Sequence, residues 1–198
     1  LRAFLDGLGE RDHYMEAPAH LLLGRIEGER GEHDEAVAES TLGLELARSA
    51  RDHQVVLPSL SSTACVLLRA GRTADANLLV DEFIALADRR DAAFADAVLA
   101  LDLLGRNEDV ARIRGELRDS PWAAAAEAFA QGEYSTAAER YRAAGDELHE
   151  AESRLRLGKF FCFVKGDWSR GLPLLAAGSD ERLGELVAAV PGGADAMS

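Results

Sequence analysis

A glycine followed five positions later by a small residue recurs along this chain, and it restricts the fold more than any other feature. The copies are Gly31-Glu-His-Asp-Glu-Ala36, Gly71-Arg-Thr-Ala-Asp-Ala76, Gly132-Glu-Tyr-Ser-Thr-Ala137 and Gly166-Asp-Trp-Ser-Arg-Gly171, with a looser one at Gly105-Arg-Asn-Glu-Asp-Val110. Each lies between two stretches of helical apolar spacing, so each reads as the bend of a helical hairpin. Glycine suits the left-handed position just past a helix end. Asp34, Thr73, Asn107 and Ser135 then fall where the next helix takes its N-cap.

The five glycines are spaced by 40, 34, 27 and 34 residues, periods that mark a helical repeat array. One helix pair cannot cover its own apolar face, so neighbouring pairs stack and share a core. The predicted pairs are 19–29 with 34–48, 58–69 with 73–87, 92–104 with 108–117, 122–130 with 135–144, and 150–164 with 169–177. Apolar stripes on the early helices are Leu22, Leu23 and Ile26; Ala36, Val37, Thr41, Leu44 and Ala47; and Leu78, Leu79, Phe83 and Ile84. Pro58 fits the first turn of its helix. Pro173, just after Gly171, weakens or kinks its helix, and the preferred reading is that the array ends there and a final helix folds back as a cap.

Composition agrees with helix. Alanine and leucine dominate an apolar fraction of 47 %, and aromatics are only 6 %. A net charge of −13, with only Lys159 and Lys165 as lysines among 22 basic residues, argues against a nucleic-acid backbone or an anionic membrane as direct partner. Cys65 and Cys162 are isolated in apolar surroundings and read as two buried free thiols. With no apolar run of about 18 residues and no visible signal peptide, the expected location is cytoplasmic.

The residues around these turns resemble the tetratricopeptide-repeat family. That pattern places a small residue near position 8, glycine near 15, an aromatic near 17, alanine near 20 and a bulky residue near 24. The fourth pair carries Ala125, Gly132, Tyr134, Ala137 and Tyr141 in those places. The first carries Leu23-Gly24, Gly31 and Ala36, with His33 and Ser40 where aromatics are usual. The second carries Ala64, Gly71, Ala76 and Val80, and the fifth Gly166, Trp168 and Leu175, with Gly171 replacing the alanine. The resemblance covers roughly residues 17–178 and implies an all-α, right-handed solenoid of about five antiparallel helical hairpins. On this reading 1–16 is a linker or the end of a preceding helix, whose trailing residues are 1–8. A capping helix follows at 179–190 and a disordered tail at 191–198. The Ala/Arg-rich stretch 23–142 also resembles the helical-repeat tails of large bacterial signalling proteins, which follow an ATPase module and carry a nucleotide cyclase or DNA-binding domain elsewhere. The segments 158–168 and 171–180 resemble a stretch of planctomycete proteins without known activity.

No arrangement of residues points to catalysis. His13, His20, His33, His53 and His149 have no metal-ligand spacing, and His33-Asp34-Glu35 points to different sides of a helix start. Gly24, Gly28 and Gly31 lie on a helix and its end, not between a strand and a helix, so they form no phosphate loop. With 35 acids, selecting a carboxylate pair is arbitrary. We therefore expect no enzyme, no cofactor and no metal.

The remaining candidate is the concave face, lined in repeat arrays by the first helix of each pair. The early pairs present Leu21, Arg25, Glu29, Ser61 and Arg69 there, and the later pairs Trp122, Phe129, Phe160 and Phe163. Such a groove, polar at one end and apolar at the other, suits an extended peptide or a partner helix. The same aromatics also fit an inter-repeat core, and Arg25 and Arg69 an ion-paired surface. The expected function is a non-catalytic protein-interaction scaffold. The alternative is a regulatory tail of a larger bacterial signalling protein.

Overall fold

The computed structural model describes residues 13–50, 53–87, 94–110, 113 and 121–189. Among them are ten α-helices, one 3-10 turn and one π-helical segment, with no strand, so the protein is all-α. The expectations for 1–8, for most of the second helix of the third pair and for 191–198 lie outside the described residues. Residues 13–16, read from sequence as part of a linker or the end of a preceding helix, belong to the helix His13–Glu29. The chain divides into two compact units, Leu1–Arg118 and Asp119–Ser198.

The first unit contains α1 (His13–Glu29), α2 (His33–Ala50), α3 (His53–Arg69), α4 (Thr73–Ala87), α5 (Phe94–Leu103) and the 3-10 turn Asn107–Asp109. Packing runs between successive helices α1/α2, α2/α3, α3/α4 and α4/α5, and also between alternate ones, α1/α3 and α3/α5. The second unit contains α6 (Pro121–Ala130), α7 (Tyr134–Ala143), α8 (Glu147–Lys159), the π segment Phe160–Lys165, α9 (Trp168–Ala176) and α10 (Glu181–Ala189). Each of these α-helices packs on the next.

One turn geometry joins most of these helices. Gly31, Gly71, Gly105, Gly132 and Gly145 all have φ between 69° and 78°. At each, the glycine N–H bonds to the carbonyl three residues back at 2.9–3.1 Å, and the next N–H reaches the carbonyl five back at 2.8–2.9 Å. This double bond pattern satisfies the orphan carbonyls of the ending helix and needs the left-handed φ that glycine adopts without a Cβ penalty. The handover is faster than the sequence reading supposed. Carbonyls of Glu32, Arg72 and Glu133, each directly after the glycine, accept from Ala36, Ala76 and Ala137 at 2.9–3.1 Å. The N-caps are therefore these residues and Arg106, not Asp34, Thr73, Asn107 and Ser135. Gly145 is a sixth turn that the sequence reading missed, and Asp146 after it caps α8 by accepting from the His149 N–H at 3.2 Å.

The buried positions keep one register about Gly31, Gly71, Gly105, Gly132 and Gly166. Five residues after them, Ala36, Ala76, Val110, Ala137 and Gly171 are all buried; nine residues after, so are Ser40, Val80, Tyr141 and Leu175. Seven residues before, Gly24, Ala64, Val98 and Ala125 are buried. The last hairpin breaks the count: its small residue, Gly158, lies eight residues before Gly166. The π segment Phe160–Lys165 supplies the extra residue, since a π turn holds one more residue than an α turn.

Small residues let the paired helices meet at backbone distance. A Cβ on Gly24 would lie 2.1 Å from Ser40 Oγ and 2.9 Å from the Ala36 carbonyl oxygen. This closeness accounts for serine at position 40, where an aromatic ring would not fit. Gly171 likewise faces Cys162, with its missing Cβ 2.2 Å from Sγ and 3.0 Å from the Gly158 carbonyl, so alanine cannot replace it without movement.

Several local expectations give way to packing. α3 begins at His53, so Pro58 lies inside the helix rather than in its first turn. Buried Val56, Leu57 and Leu60 carry the helix through it. Each buried apolar side chain contributes roughly 1.5–3 kcal/mol, and together these offset the roughly 3 kcal/mol cost of an internal proline. α9 similarly continues through Pro173 to Ala176, because Leu172, Leu175 and Ala176 pack with Leu155, Cys162 and Val187. Leu22, Thr41 and Leu78, expected inside, are exposed, Leu78 at 68 %.

Candidate functional site

In the first unit the alternate packing of α1, α3 and α5 places the first helices of the hairpins side by side. Leu21 and Ser61 are buried, and the Ser61 hydroxyl donates to its own helix at the Leu57 and Pro58 carbonyls. Neither offers surface to a partner. Arg25, Glu29 and Arg69 are partly exposed and joined by ion pairs across the helices: Arg69 with Glu29, and Arg25 with Asp96 at 3.6 Å. Two arginines and two acids balance, so these pairs hold no excess charge. Second helices are linked in the same way, Arg48 of α2 to Glu82 of α4, thirty-four positions apart. Arg106 joins Asp109 and Asp81 at 2.7–2.8 Å. Partial burial works to lower its pKa, but these carboxylates outweigh that and raise it.

An open depression of about 580 Å³ lies elsewhere in this unit, between Val37, Thr41, Leu42 and Glu45 of α2 and Ala70 and Arg72 of the α3–α4 turn. No local sequence pattern marks it, because it joins a second helix to a turn from the next pair.

In the second unit Phe129 is buried and meets Tyr134 edge-on, with ring centroids 5.3 Å apart. It belongs to the core. Trp122 is exposed on α6. Phe160 and Phe163 both reach the surface, Phe163 at 63 % exposure. Two residues the sequence reading did not assign to the surface join them: Val164 at 68 % and Trp168 at 50 %. Trp168 packs edge-on against Phe163 at 5.6 Å, Lys165 Nζ lies 5.3 Å from the Phe160 ring centre, and the Arg170 guanidinium lies 4.1 Å from that of Phe161. The signal was present in Phe160-Phe161-Cys162-Phe163-Val164. Five consecutive apolar residues encircle a helix, and a single buried face cannot take them all.

Of these five, Cys162 points inward. Cys65 and Cys162 are both buried, and the Cys65 thiol donates to the Asp96 carbonyl at 3.3 Å. Burial, and then the negative charge of Asp167, pushes the Cys162 thiol above its ordinary pKa of 9.0. A raised thiol pKa means that the fold favours the protonated form. That contribution is complete below the unfolded pKa and is lost as pH rises through the folded one. Near pH 8 we expect an aromatic disulfide reagent to leave both thiols untouched in native protein and to label both in guanidinium. Rapid native labelling of Cys162 would contradict its packing against Gly171.

Among the described residues no group of three or more His, Cys, Asp or Glu side chains is placed to hold a metal ion. Among them also, no helix is long and apolar enough to cross a membrane. His149 is buried, stacked on Tyr141 at 5.1 Å with Nδ1 2.9 Å from the Asp146 carboxylate, a structural pairing beside the α8 cap. Comparison with protein-family models, curated proteins and solved structures finds no match to this chain. The fold thus defines an all-α protein of packed neighbouring helical pairs, compatible with a helical repeat array.

Proposed function

We propose that this chain is a non-catalytic protein-interaction module, a tetratricopeptide-repeat-like right-handed solenoid that binds a peptide or partner helix. The observation that supports it is the shared register: small or apolar residues are buried at the same offsets from Gly31, Gly71, Gly105, Gly132 and Gly166. A chain built this way repeats one supersecondary unit, and stacking such units makes extended surfaces rather than enclosed pockets. Recognition on such a surface proceeds by shape and charge, with no covalent step.

Of the surface residues selected from sequence, Trp122, Phe160 and Phe163 are exposed and Arg25, Glu29 and Arg69 are partly exposed in ion pairs, while Leu21, Ser61 and Phe129 are buried. A photo-crosslinking residue placed singly at Arg69, Trp122 or Phe163 in the native host tests the proposal. Discrete protein adducts are expected from at least one of these positions and not from exposed Glu35 or Glu139 on second helices. Adducts from none of the three, or equally from all five, would overturn it.

A further inference from the structure

We propose that the π segment and the start of α9 form a docking surface for an acidic segment that carries apolar side chains. The proposal rests on the interaction-module reading and adds the chemistry of the partner. Its first ground is exposure. Phe160, Phe163, Val164 and Trp168 lie within nine consecutive residues and all reach solvent, although buried Cys162 and Leu175 anchor the same hairpin. An isolated exposed apolar side chain needs no explanation, but a cluster of aromatics marks a contact surface.

The second ground is charge. The protein carries −13, yet its only lysines, Lys159 and Lys165, lie here with Arg170. Among the described residues none of these three is in an ion pair, and Lys165 and Arg170 instead sit over Phe160 and Phe161. The one acid between positions 156 and 170, Asp167, is engaged locally: its carboxylate caps α9 at the Arg170 N–H and accepts from Ser169 Oγ. The surface is therefore a cationic and aromatic island on an acidic molecule. Aromatic and arginine side chains together are what interface cores favour.

The third ground is the π segment itself. π turns are rare and concentrate where function requires them. Here the added residue leaves Gly158 and Cys162 both facing α9 and leaves Phe160, Phe163 and Val164 outside. The occupant follows from the charge pattern. An extended polyanion, whether a bilayer or a nucleic acid, is opposed by the protein's net charge of −13. A short acidic segment meets only the island, within the roughly 8 Å over which charge acts at physiological ionic strength. Its apolar side chains then cover Phe163, Val164 and Trp168.

The test uses the full chain and fluorescence anisotropy of a short labelled helix-forming peptide, glutamates on one face and Leu and Phe on the other. Three comparators complete it: the same peptide with Lys for Glu, the same with Ser for Leu and Phe, and phosphatidylserine-containing vesicles. Saturable binding of the first peptide is expected, at least about tenfold tighter than of either altered peptide. Phe163→Ser and Lys165→Glu should each weaken it by about tenfold or more. Both side chains are exposed, so unchanged helical circular dichroism and melting confirm that neither variant has unfolded. Equal binding of the Lys peptide, insensitivity to both variants, binding to vesicles only, or association of the chain with itself through this surface would each overturn the proposal. Crosslinks from Arg69 or Trp122 alongside such a failure would leave the interaction-module reading standing and remove only this surface.

Discussion

Replacing Ala137 by glutamate is expected to lower the melting temperature by about 10 °C or more. Ala137 has no exposed surface, and its N–H makes the first bond of α7, to the Glu133 carbonyl at 2.9 Å. It lies five residues after Gly132, on the face that α7 turns toward its neighbours. Forcing a larger side chain into a packed core costs about 1–3 kcal/mol, and leaving a carboxylate there unpaired costs several more. Small domains hold only about 5–15 kcal/mol in total, so the substitution consumes much of that stability. Thermal melting by circular dichroism gives the measurement, with Glu139→Ala on the exposed side of the same helix as control. The control should stay within about 0.5 kcal/mol of wild type. A wild-type melt for Ala137→Glu would mean that the register counted from the turn glycines is wrong.

Gly24→Val should be the next most damaging change, at about 3 kcal/mol or more. The obstacle is backbone: the Ala36 carbonyl oxygen at 2.9 Å and the Ser40 nitrogen at 3.0 Å, besides Ser40 Oγ at 2.1 Å. A side chain can rotate away from a new methyl group, whereas a helix can only separate as a whole. Adding Ser40→Gly removes the hydroxyl but not the backbone contacts, so the double variant should recover less than half of the loss. Gly31→Ala is the useful contrast. Its Cβ would enter open space, but at φ 78°, so its cost is the left-handed penalty of about 1–2 kcal/mol. Denaturant unfolding of these variants separates close approach from backbone conformation. Equal losses for Gly24→Val and Gly31→Ala would show that α1 and α2 do not meet as described.

How much was legible from sequence follows the range of the forces involved. The turns at Gly31, Gly71, Gly105, Gly132 and Gly166 were readable because a left-handed helix end is a local requirement that one residue type meets best. Gly145 obeys the same rule and was overlooked, although Gly-Asp followed by the helix start was visible in the chain. Buried Ala36, Ala76, Ala137 and Tyr141 were readable because their offsets from the glycine repeat. Leu78 and Trp168 were not, since the same side chain is core or surface depending on which neighbour reaches it. Of the nominated site residues, Phe163 proved exposed and Phe129 buried, though both are phenylalanines on helices of apolar context.

Sequence alone therefore determined the helical class, the hairpin bends and the small residues at the helix contacts, all properties of near neighbours along the chain. Tertiary packing decided the rest: that Pro58 and Pro173 lie inside continuous helices, that Phe160–Lys165 winds as a π segment, and that Phe160, Phe163, Val164 and Trp168 reach the surface with Lys165 over the Phe160 ring. These outcomes depend on the energy of contacts between distant residues, such as Cys162 against Gly171, which outweighs the local preference of any single position.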